Sequence, residues 1–192
     1  MSNASQNLPY RFEESDAVVE VQIPYIRFDD IRERSKAVHA LSFKDTDLVA
    51  FHGNETLLLV EFKAPESILD KKGWNELVEK VSLKFLHTML VLCAAWLKHH
   101  SPPVCSMLKI EPNFLQQSRR FKRLLFILLI TSYYERSDNR PDELTQLQVL
   151  LRQHQDIRFV ASLFGASSDD ILVVGLGELD RYGIKTSFKK IS

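Results

Sequence analysis

The chain is short of the residues that build metal cages, disulfide frameworks and linkers. It has two cysteines, Cys93 and Cys105, in 192 residues. Neither belongs to a CxxC pair or a Cys/His cluster, so the usual structural zinc patterns are excluded and a reducing compartment is the default. Cys93 lies in the apolar run LVLCAAWL and is expected to be a buried small hydrophobe. Glycine and proline number six and seven and do not cluster, and there is no repeat or low-complexity stretch. An excess of one charge is absent too, since 25 basic residues balance 25 acidic ones. Such a chain cannot coat nucleic acid by global charge, and contact with it requires a local patch. No basic segment followed by an apolar one opens the chain, so no signal peptide is read. The longest aliphatic run, Leu124 to Ile130, falls far short of the ~20 residues that cross a bilayer. A soluble, cytoplasmic protein with no membrane partner is expected.

What is present suits one compact domain, with 45% hydrophobic residues. Residues 1–15 are expected to be a flexible N-terminus with no fold role beyond an edge contact, and residues 16–192 to form the domain. Ala17 to Phe28 is rich in Val, Ile and aromatics and reads as a strand, with Pro24 making it an edge or bending it. Asp29-Asp30 can cap a short helix through about Ala40. Asp47 to Phe51 and Thr56 to Ala64 read as two strands of a hairpin, with Gly53 and Asn54 in the turn because both tolerate positive φ. A long helix follows over Trp74 to His99, its apolar positions (Leu77, Val78, Val81, Phe85, Met89, Leu90, Cys93, Trp96) close to a 3.6-residue period. Residues 104–119 have no regular pattern. Phe121 to Thr131 reads as a strand buried on both faces. A helix over Pro141 to His154, a continuation over Phe159 to Phe164, a buried strand over Asp170 to Gly177 and an edge strand in the tail complete the order. The expected fold class is α/β, a single-domain sandwich with a mixed central sheet and helices on both of its faces.

One constellation carries chemistry. Glu61 and Lys63 are two apart at the end of an apolar strand and so project from one face. Charges ending a core strand are costly unless they reach solvent, pair, or bind an ion. Asp47 opens the preceding strand, so an antiparallel hairpin brings it to the same end of the sheet as Glu61. Register decides whether they meet. A two-residue Gly53-Asn54 turn points Asp47 away from Glu61, a three-residue Gly53-Asn54-Glu55 turn sets the two side by side, and a His52-Gly53-Asn54 turn sets Asp45 beside Glu61 instead. Two carboxylates at one point suit a hard divalent ion such as Mg²⁺ or Mn²⁺, which can polarise a phosphoryl oxygen and lower the pKa of a bound water. A lysine beside it can orient that water.

Asp, hairpin, Glu-x-Lys ending an apolar strand, then a long helix: this segment, DTDLVAFHGNETLLLVEFKAP, resembles the PD-(D/E)xK nuclease superfamily of restriction endonuclease-like and RecB-like enzymes. Thr46 stands where that pattern often has proline. The resemblance implies a restriction endonuclease-like fold and Mg²⁺- or Mn²⁺-dependent hydrolysis of nucleic-acid phosphodiesters, most readily DNA. It implies that Asp47 and Glu61 hold the metal, with the Phe62 backbone carbonyl and Glu33 as further ligands, and that Lys63 assists the attacking water. Asp45 competes with Asp47. A homodimer is implied by analogy with nucleases that cut both strands. Two rival readings stand beside it: a non-catalytic nuclease-fold binding or assembly module, and an unrelated α/β interaction protein with an accidental Glu-x-Lys.

Two other features bear on nucleic acid. Glu76, Lys80, Lys84 and His87 form a polar stripe on the long helix, either a flank offering Lys80 or Lys84 to phosphates or simply a solvated face. Arg119, Arg120, Lys122 and Arg123 surround Phe121 in a dense basic patch, which suits a phosphate backbone and equally suits the guarding of a sticky strand. His52, His99 and His100 have no partner at ligand spacing and read as surface histidines.

Overall fold

The structure, a computed structural model, describes residues 9–14, 17–27, 45–64, 71–97, 112–131 and 141–188. The strands are β1 (Tyr10–Glu14), β2 (Ala17–Val21), β3 (Tyr25–Ile26), β4 (Leu48–His52), β5 (Thr56–Lys63), β6 (Arg123–Ile130), β7 (Ile171–Val174) and β8 (Ile184–Phe188). The helices are α1 (Lys71–Leu97), α2 (Pro112–Ser118), α3 (Pro141–Gln153) and α4 (Gln155–Leu163). The short helix expected over 29–40, together with Glu33, Cys105, His99 and His100, lies outside the described residues.

The architecture is mixed α/β with two sheets. The larger has order β3-β4-β5-β6-β7, with β3-β4-β5 antiparallel and β5, β6 and β7 parallel. The smaller has order β1-β2-β8, all antiparallel. Strand β6 explains why the sheet needs a cover on each side. Its residues Leu124 to Ile130 are all buried, Leu124, Phe126, Leu128 and Ile130 in one cluster and Leu125, Ile127 and Leu129 in another. The first cluster is completed by helix residues, among them Val78, Phe85, Leu115, Leu147 and Val160. The second is completed by Phe12, Val19, Val21 and Ile184 of the small sheet.

This corrects the expectation of helices on both faces. Among the described residues, helices cover one face of the large sheet and the three-stranded sheet covers the other. At the N-terminus, Tyr10–Glu14 is the edge strand of the small sheet, pairs along its whole length with β2 and contributes Phe12 to the core. Pro24 does bend the chain, at the corner where it leaves one sheet for the other. A proline without a ladder donor suits such a corner, and its carbonyl accepts from Phe51 N–H at 2.8 Å.

Helix α1 lies on the sheet through Val78, Val81, Phe85, Met89, Leu92 and Ala95, with Phe85 edge-on to Phe126 at 5.3 Å. Leu90, placed on the apolar stripe by its period, is instead exposed, and Cys93 is half-buried. Gly73–Leu97 is long and apolar enough to cross a membrane by length and composition. Here its apolar stripe is taken up by the sheet. Residues 112–118, without a pattern in sequence, form α2 and bury Phe114, Leu115 and Ser118.

Candidate active site

The hairpin register fixes the geometry. Gly53 and Asn54 both take φ of 60°. His52 pairs with Thr56, which makes the turn the three-residue Gly53-Asn54-Glu55 form. Leu48 pairs with Val60, and one further step sets Asp47 opposite Glu61. Asp47 does more than sit nearby: its Oδ2 accepts from Phe62 N–H at 2.8 Å, continuing the ladder with a side chain. Parity puts Asp47, Glu61 and Lys63 on the helix-covered face with Val49, Leu57 and Leu59. Phe62 faces the other way, edge-on to Phe12.

Lys63 is held by its backbone. Its carbonyl accepts from Thr131 N–H at 2.8 Å and from Thr131 Oγ1 at 3.2 Å on the β6 side. Amide groups of successive strand residues turn to opposite sides, so Phe62 directs its carbonyl toward Asp47 and β4, the direction its N–H already takes. The site therefore lies at the C-terminal ends of β5 and β6 and the N-terminal end of β4.

Helix α1 supplies Lys84, a residue of the polar stripe read either as a phosphate-facing flank or as a solvated face, and sets it on the carboxylates themselves. Lys84 Nζ lies 2.6 Å from Glu61 Oε1 and 3.3 Å from Asp47 Oδ1. Lys63 Nζ is also 2.6 Å from Glu61 Oε1. One turn beyond Lys84, Thr88 Oγ1 accepts from Thr46 N–H at 2.8 Å and meets Thr46 Oγ1 at 3.2 Å. The helix thus grips the chain beside Asp47 at two successive turns. A contact between residues 47 and 84 leaves no mark in periodicity. The signal available was the i, i+4 pair Lys84 and Thr88, polar residues beside the apolar stripe.

Glu61 is fully buried. Both ammonium groups crowd its Oε1 as ion pairs outside good hydrogen-bond geometry, and Oε2 has no hydrogen-bond partner among the described residues. Burial, and then the neighbouring Asp47 charge, push its pKa up to about 7, against the pull of Lys84 and Lys63. Burial lowers the Lys84 pKa, but Glu61 and Asp47 outweigh it and hold the ammonium above its ordinary value. Lys63, with a third of its side chain exposed, marks the mouth of the site.

Among the described residues, no group of three or more His, Cys, Asp or Glu forms a ready-made metal cage. The fit to a hard cation rests on the two adjacent carboxylates, the buried Oε2 without a hydrogen bond, and the Phe62 carbonyl turned the same way. These are oxygen donors of the type Mg²⁺ takes while keeping several waters, and they fit such an ion.

The remaining sequence candidates fall elsewhere. Lys80 is exposed on α1, one turn before Lys84. Arg119, Arg120 and Lys122 lie at the opposite end of the sheet, where Lys122 pairs with Glu55 of the hairpin turn and Arg123 with Asp170. The structure does not bring that basic patch to the carboxylates. His52 packs edge-on to Tyr182 at 5.7 Å, also at the turn end. Asp45 is buried, two residues before the position that the register sets against Glu61.

No family model, curated protein or solved structure matches the chain.

Proposed function

We propose that the protein hydrolyses nucleic-acid phosphodiester bonds, DNA first among them, with a divalent ion at Asp47 and Glu61, as a nuclease with a restriction endonuclease-like arrangement of β4, β5, α1 and β6. The observation that carries this reading is Glu61 itself. A carboxylate held fully buried beside a second carboxylate is costly, and its Oε2, without a hydrogen bond among the described residues, gives the cost a use. Asp47, Glu61 and the Phe62 carbonyl would hold one Mg²⁺ or Mn²⁺. When bound, the ion polarises a phosphoryl oxygen and makes a water acidic near neutral pH. Asp47 is kept in place by the Phe62 N–H, and Glu61 by its burial under α1. Lys63, at the mouth, orients the attacking water and offsets charge on the scissile phosphate. Lys80 borders the same face of α1 and can meet the flanking backbone of the substrate.

The test is cleavage of supercoiled, linear and single-stranded DNA, and of RNA, with Mg²⁺ or Mn²⁺. Wild type is expected to cut in a metal-dependent way, and Glu61→Gln and Lys63→Ala to lose at least 100-fold, within the range for loss of one acid–base or electrostatic group. Wild type inert on every substrate refutes the reading.

One observation favours a second reading, a non-catalytic binding or assembly module. Lys63 and Lys84 neutralise Asp47 and Glu61 charge for charge, so the cluster balances without an ion. Absence of Mg²⁺ and Mn²⁺ binding by calorimetry favours this second reading.

A further inference from the structure

The inference rests on the reading of Asp47 and Glu61 as ligands of a divalent ion, and it concerns Lys84. This side chain touches both carboxylates at once, Glu61 Oε1 at 2.6 Å and Asp47 Oδ1 at 3.3 Å. An ion shared between those carboxylates would compete for the same space and the same negative charge. The helix cannot carry the lysine away, because Phe85 is packed on Phe126 and Thr88 is bonded to Thr46. The side chain can move on its own: about a fifth of it is exposed, and its four-carbon stem is flexible. Lys63 differs, since it contacts Glu61 from the rim and, among the described residues, bridges to no second carboxylate.

We propose that Lys84 is a tethered cation that holds the metal position in the resting protein, and that a divalent ion binds by displacing its ammonium. The displaced group stays within reach of the mouth, where the phosphodiester offers it a new anion. Metal and substrate are then coupled. The ion frees the lysine for the phosphate, and the phosphate keeps the lysine off the carboxylates. By linkage each raises the affinity of the other by the same factor.

The test is a calorimetric titration of Mn²⁺ into the full chain as wild type, Lys84→Met, Lys84→Gln and Lys84→Arg. Removing the competing charge is expected to tighten Mn²⁺ binding at least tenfold in the Met and Gln variants, about 1.4 kcal/mol, while Lys84→Arg stays near wild type. Thermal unfolding with and without saturating Mn²⁺ supplies a second readout if the variants are marginally folded. The gain in Tm from Mn²⁺ should be larger in Lys84→Gln than in wild type. If wild type binds Mn²⁺ and the neutral variants bind it no more tightly, or gain no more in Tm, Lys84 is a purely structural partner and this inference falls while the metal reading stands. If none of the four proteins binds Mn²⁺ up to millimolar concentration, both fall.

Discussion

Glu61→Gln tests the electrostatics of the site without any assumption about catalysis. Burial and Asp47 raise the Glu61 pKa from 4.5 to about 7. One unit is worth about 1.4 kcal/mol, so the ionised form carries a burden of about 3 kcal/mol. The direction follows from linkage. A carboxyl raised in the folded state binds more protons there than in the unfolded chain between its two pKa values. Its stabilisation is complete below pH 4.5 and is lost as the pH rises through about 7. In EDTA, wild type should therefore lose about 3 kcal/mol from this group between pH 4.5 and 8, read from urea unfolding at a series of pH values. The glutamine does not titrate, so its stability curve should be flatter by that amount. The absolute offset between the proteins also contains the lost Lys63 and Lys84 pairs, so the slope is the quantity to read. Parallel curves for the two proteins would refute the reasoning.

Thr88→Val leaves the Thr46 N–H without its acceptor in a buried place. It should cost about 1–3 kcal/mol in urea unfolding, and a neutral result would show that the apolar face of α1 docks the helix without this bond. Arg123→Ala tests the far end of the sheet. Although burial pushes the Asp170 carboxyl up, the Ser167 backbone and side chain and the Arg123 guanidinium hold it below the usual range. Its stabilisation is present above the ordinary carboxylate pKa and is lost as the pH falls through the lowered one. Arg123 is half exposed, so the loss at pH 7 should stay under about 1 kcal/mol. Acid unfolding should begin at a higher pH in the variant. Superimposable acid limbs would count against the pair.

Much of this was legible in the residues. The hairpin, the bend at Pro24, the long helix and the doubly buried β6 follow from apolar period and turn chemistry, and the structure realises all four. The Asp47–Glu61 meeting was legible only as one of several registers, because Gly53-Asn54 fits a two-residue and a three-residue turn alike. The His52–Thr56 pair decides it, because positive φ at both Gly53 and Asn54 suits a two-residue turn as well. The second sheet was hidden for a different reason. Strands β1 and β8 are short, alternate buried and exposed residues, and are joined through β2 across nearly the whole chain. Long-range pairing of that kind has no local signature. The contact of Lys84 with the carboxylates was hidden because a charged i, i+4 stripe looks the same whether it meets water or two buried carboxylates.

The most direct test of the central claim is a crystal structure grown with Mn²⁺ and read by anomalous scattering. One peak is expected between Asp47 and Glu61, within coordination distance of an oxygen of each, with the Phe62 carbonyl facing it and the Lys84 ammonium moved off Glu61. Lys84 still bridging the two carboxylates, with no peak between them, would contradict it.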